Sequence, residues 1–199
     1  GYLVPTTLRF PVLLLAALTL APALYQATAQ GRLDAQYTVT VAGIPIGKGN
    51  WIIEIADSRY SAAASGITTG LMRAFTGGQG TSAAQGTLQT GKAVASTYAF
   101  TVTTRKKTDT IRFEVNNGAV AALKLDPPQE DDKERIPITE DSLRGVQDPM
   151  TGMLLPAPGT GSPLNPEACK RTLAVFDGKL RYDLQLAFKR IDKVKADKG

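Results

Sequence analysis

Histidine is absent from this chain of 199 residues. Its absence removes the imidazole that most often serves as general base, that activates a serine or cysteine, and that ligates metals. Cysteine occurs once, at Cys169, which excludes a cysteine-rich zinc site and any disulfide within the chain as written. Phosphate-binding loops are missing too. Gly77-Gly78-Gln79-Gly80 lies among strand signals and lacks the Lys-Ser/Thr sequel that a nucleotide site needs. An enzyme is therefore the least expected class, and no catalytic residue, cofactor or metal is assigned. Long apolar runs are also lacking. The longest, residues 12–20, falls short of the roughly 20 residues that cross a bilayer as a helix.

That short run has another meaning. Arg9 precedes it, Pro22 and small residues follow it, and Ala27-Thr28-Ala29 has the A-x-A form of a cleavage site. Residues 1–29 are expected to be a secretory signal cut before Gln30, with a membrane anchor or core helix as the alternative. No cysteine sits at the cut, so a cysteine-anchored lipoprotein is not expected. The segment holds one base and no acid, leaving 22 basic against 18 acidic residues, net +4. So mild a charge makes nucleic acid an unexpected partner, and export argues the same way. Arg105-Lys106-Lys107 and the basic residues within 189–198 could meet phospholipid head groups, but a solvated turn and a polar tail are the preferred reading.

The mature part, residues 30–199, reads as one β-rich domain. Its clearest stretch is 172–188. Leu180, Tyr182, Leu184, Leu186 and Phe188 alternate with Lys179, Arg181, Asp183, Gln185 and Ala187, the period of a strand with one buried face. Asp177-Gly178 before it signals a two-residue type I′ turn, pairing Val175 with Leu180 and Leu173 with Tyr182. Upstream, alternation predicts strands over 35–41 and 47–56, with Trp51, Ile53 and Ile55 inward and a looser connection between them. Residues 60–66 follow as a strand of small side chains that permits close approach of another element, for which 69–75 is the candidate. A weak strand is expected over 79–88. Strong ones follow over 96–104 (Tyr98, Phe100 and Val102 on one face) and 110–115 (Ile111, Phe113 and Val115 inward), then one over 119–125. The expected architecture is all-β with minor α: an antiparallel meander forming a curved sheet or barrel of about eight to ten strands.

Residues 127–166 interrupt the meander with charge, proline and glycine. They are expected to supply short helices over 140–146, capped by Thr139, and from Asp148-Pro149, where Asp suits the N-cap and Pro the first helical position. Such an insert would cover a sheet as a lid or edge cover. Glu130, Asp131, Asp132 and Glu134 crowd it, but their spacing is not that of a calcium loop, and a solvated charged loop is expected.

Three segments together resemble the bacterial exported-protein family called domain of unknown function 3108. They are the Tyr37 strand with Gly43-Ile44-Pro45-Ile46-Gly47, the Thr69-Gly70-Leu71 segment, and Cys-x6-Phe-Asp-Gly-x2-Arg-Tyr-Asp-Leu from Cys169 to Leu184. The last is the specific part. The resemblance covers essentially the whole mature chain. It implies an exported, mostly β protein, carries no catalytic residues across, and suggests that the natural protein runs on past Gly199. Cys169, placed inward opposite Leu186 by the hairpin register, is then expected either to be a buried hydrophobe or to pair with a cysteine beyond Gly199.

Two functions stay open. One is a periplasmic or secreted binding or carrier module for an apolar or lipid-like molecule, held on a face bearing Trp51, Ile53, Tyr98, Phe100, Tyr182 and Leu184. The other is a structural or protein-interaction component of the cell envelope with that face filled as core. Ligand identity and oligomeric state are not legible.

Overall fold

The computed structural model describes residues 30–129, 136–156 and 165–193. The readings made above on residues 1–29, on the acidic group at 130–134, on loop residues 157–164 and on the tail from 194 onward lie outside the described residues.

Seven strands form one antiparallel meander in chain order: β1 (Gly31–Val41), β2 (Ile44–Ala56), β3 (Arg59–Thr68), β4 (Gln79–Gln89), β5 (Lys92–Thr103), β6 (Thr108–Asn116) and β7 (Ala119–Asp126). Two more, β8 (Arg171–Phe176) and β9 (Arg181–Leu186), form a separate two-stranded sheet, and β8 also bridges Gln147 of the insert through Val175. One helix, α1 (Gly70–Thr76), joins β3 to β4. The fold is thus mostly β with an open curved sheet, since β1 and β7 do not meet.

Tight turns build the meander. Ala42-Gly43, Asp57-Ser58, Thr90-Gly91 and Asn117-Gly118 each connect paired strands with both residues at positive φ. That is type I′ geometry, whose twist matches the strands it joins. The first hairpin is therefore a tight one, not the looser connection expected. Bulges at Val39/Thr40, Gln85/Gly86 and Arg112/Glu114 bend the sheet further.

Residues paired across strands share a face, so one face of the sheet can be read as rows. The first row runs Leu33, Ile53, Ala62, Ala84, Tyr98, Phe113. From Ile53 onward it is buried core. Val146, Met150 and Phe176 cover it, with Ile138, Leu143 and Leu154 at the margin. Tyr98 and Phe176 both pack on Phe113, with ring centroids 5.0 and 5.5 Å away. The insert does act as the cover. Its helices, however, shrink to 3-10 turns at Asp141–Leu143 and Thr151–Met153. Thr139 still caps the first, accepting from Ser142 N at 3.3 Å.

The hairpin of β8 and β9 departs from expectation in register and in facing. Val175 pairs with Tyr182 and Leu173 with Leu184, two residues further along, so the loop spans Asp177 to Leu180. Asp177 does not take the positive φ of a type I′ turn. Its Oδ1 instead accepts from the backbone N–H groups of Lys179 and Leu180, both at 2.8 Å, and its own N–H donates to Leu180 O. A side-chain-closed turn thus replaces the backbone one. The face meeting the core carries Ala174 and Phe176. Leu180, Tyr182, Leu184 and Phe188 remain exposed. Alternation distinguishes two faces without saying which one turns inward, and here the Phe176 ring on Phe113 decides it. Cys169 is not inward opposite Leu186 either. It ends an exposed 3-10 turn, and Leu186 pairs with Arg171.

Candidate functional site

The second row of the same face reads Ala35, Trp51, Ala64, Ser82, Phe100, Ile111, Leu125. Most of it is half-buried at the edge of the cover. The third row reads Tyr37, Gly49, Gly66, Gly80, Val102, Asp109. Three adjacent glycines leave this row without side chains where the first row is filled. At Gly49 the requirement is steric as well, because a Cβ there would stand 2.8 Å from Ser65 O on the neighbouring strand. Curvature therefore demands glycine at that point.

The emptied row is an open groove. One lobe, of about 560 Å³, lies between Tyr37, Val39, Trp51 and Ala64, with Met150 and Met153 reaching it from the cover. An adjoining lobe of about 420 Å³ is bounded by Thr68, Phe100 and Val102. Gly66 and Ile67 line both. The walls are mainly apolar. The indole Nε1 of Trp51 is buried with no hydrogen-bond partner among the described residues.

The two methionines are held in place by a buried polar chain. Asp148 is fully buried and its Oδ1 accepts from Met150 N and Thr151 N, each at 2.9 Å, as the Asp-Pro pattern predicts for an N-cap. The Thr151 hydroxyl donates to Asp148 Oδ2, which leaves its oxygen to accept from Tyr60 Oη at 2.5 Å. This chain staples the turn bearing Met150 and Met153 to β3. Burial holds the Asp148 carboxyl above its ordinary range, against the pull of its hydrogen bonds. Burial likewise pushes the Tyr60 and Tyr98 hydroxyls up to about 12. The cap is legible in Asp148-Pro149 but the staple is not, since nothing local in the chain announces that Tyr60 and Thr151 meet.

The proposed apolar-face residues divide. Trp51 and Phe100 line the groove, and Ile53 and Tyr98 are core beside it. Tyr182 and Leu184 are 37% and 40% exposed on β9 and do not join the others. Gly178 and Asp177 serve the β8–β9 turn. Among the described residues there is no group of acidic, cysteine or histidine side chains that could hold a metal, and no helix is long and apolar enough to cross a membrane.

No curated protein and no solved structure matches the chain. One family model does, over residues 36–199, the span that holds the whole sheet apart from the start of β1, the cover and the groove. The chain accordingly belongs to the family described as Protein of unknown function (DUF3108).

Proposed function

We propose that this protein is an exported carrier or binding module that holds an apolar or lipid-like molecule in the groove. One observation carries the reading: the glycines of a single cross-strand row empty the sheet face beside Trp51, Gly49 and Gly66 lining about 560 Å³ of mostly apolar space and Gly80 the adjoining lobe. That volume lies within the roughly 300–1,000 Å³ of ordinary ligand sites. The role assigned is binding, with no reaction. The chemistry available is apolar burial against Tyr37, Trp51, Phe100 and Val102.

Trp51 is the only tryptophan in the chain, so it reports on its own site. Titration with a bromine-labelled fatty acid should quench its emission saturably, while the unlabelled acid should compete and restore it. No quenching up to the solubility limit of the probe would overturn the reading. The export part is tested separately: the protein recovered from the secreted or periplasmic fraction should begin at Gln30, and an intact stretch from Leu8 to Leu20 would refute cleavage.

A further inference from the structure

The groove opens toward one end of the sheet, and that end has a surface of its own. Ala42-Gly43, α1 and the turn from Thr104 to Lys107 all lie there, as strand direction requires. They touch in sequence. Thr69 N donates to Ile46 O at 2.9 Å, and Arg105 N donates to Thr76 O at 3.1 Å, so α1 bridges the first hairpin and the β5–β6 turn. The Arg105 side chain passes close over Gly77, whose Cβ, were there one, would stand 2.8 Å from Arg105 Cγ. α1 was the element expected to close over the small residues of β3. Instead it buries none of its residues, and Leu71 and Phe75 are each 77% exposed. Val41 and Ile44 are exposed on the adjacent turn.

Charge at this end is mainly basic. Arg73, Arg105 and Lys106 are exposed, and none has an ion-pair partner among the described residues, whereas Lys107 pairs with Asp109 at 3.0 Å. Asp109, at the start of β6, and Asp126, at the end of β7, are the acids that the meander itself places at this end. The opposite end mixes Asp57, Arg59, Lys92, Glu140 and Arg144. Exposed aliphatic and aromatic side chains on a short helix, flanked by unpaired bases, are the composition of a surface that sits in a lipid interface.

We propose that this end of the sheet docks on an anionic lipid bilayer. Leu71 and Phe75 of α1 enter the interface, and Arg73, Arg105 and Lys106 meet lipid phosphates. The mouth of the groove, bounded by Thr68, Gly78 and Gln79 next to α1, then faces the membrane. What passes through the mouth rests on the groove reading above; the docking does not.

The test is flotation of the full chain with vesicles of phosphatidylcholine alone and of phosphatidylcholine mixed with phosphatidylglycerol. The parent should prefer the anionic vesicles and lose that preference in high salt. The Arg73→Glu/Arg105→Glu and Leu71→Ser/Phe75→Ser variants should each bind on the order of tenfold more weakly or worse. Lys92→Glu, at the far end, should bind as the parent does. All the altered side chains are exposed, and a far-UV circular dichroism spectrum and urea midpoint equal to the parent's certify the fold. Equal binding to both vesicles overturns the docking, as does parent-level binding by either double variant, which would place attachment elsewhere, the apolar stretch at residues 12–20 included. If quenching survives such a failure, the groove reading stands without the docking; if quenching fails while anionic binding persists, the reverse holds.

Discussion

Gly178 shows how one residue serves both a turn and a core. Its φ is +100°, and a Cβ there would run into Ile111 Cγ2 in the buried row of β6. The Gly178→Val change would therefore combine backbone strain with overpacking and should cost roughly 2–4 kcal/mol, read as a lower midpoint in urea. Unchanged melting would remove the contact. Asp148 supplies a second residue-scale expectation. Burial raises its folded carboxyl pKa above the unfolded value, so the folded state holds its proton more tightly. Its stabilising share is complete below the ordinary carboxylate range and is lost as pH rises through the raised value. Asp148→Asn keeps an acceptor for Met150 N and Thr151 N but does not titrate. The parent-minus-variant difference in stability should thus fall between about pH 4 and the raised value; a difference flat across that range would contradict the burial effect. Asp-Gly and Asp-Pro were visible in the chain as a turn and a cap. The contact with Ile111 and the hydroxyl chain to Tyr60 were not, because both join residues far apart in sequence.

At the scale of elements, β8 and β9 have similar alternation and different fates. Phe176 is fully buried on Phe113, and Val175 is buried on the opposite face. Every residue of β9 except Leu186 is exposed, so its apolar row contributes little to the core. Phe176→Ala should cost about 3–5 kcal/mol, whereas Leu184→Ala should stay within roughly 0.5 kcal/mol. Chemical denaturation of the two variants compares them directly, and equal losses would mean that β9 is covered. The strands themselves were legible because the period of two is local. Facing was legible for β5 and β6, where only one face is apolar. It was not legible for β8, where Leu173 and Val175 on one face compete with Ala174 and Phe176 on the other. The same limit applies to α1: Leu71, Met72 and Phe75 have the composition of a buried turn, and only the tertiary structure shows Met150 and Thr151 occupying the place over β3.

Across the whole molecule, one sheet face is divided by row into a covered part and an open part. Ile53, Ala62, Ala84, Tyr98 and Phe113 are sealed by the cover, while Gly49, Gly66 and Gly80, two rows and so four residues away on β2, β3 and β4, are not. The division makes site and stability separable. Gly66 has a backbone φ open to any residue, lines both lobes, and a Cβ there would meet nothing nearer than Lys48 O at 3.7 Å. A leucine at this position would therefore project into the groove without displacing backbone. It also removes a strand glycine, which favours folding slightly. Gly66→Leu should accordingly melt at or slightly above the parent temperature while abolishing saturable quenching of Trp51 by the brominated fatty acid. Phe113→Ala should do the converse at low temperature, losing about 3–5 kcal/mol of stability while the molecules still folded continue to bind. If Gly66→Leu binds as the parent does, the ligand does not occupy the glycine row. If it unfolds, that row is structural core.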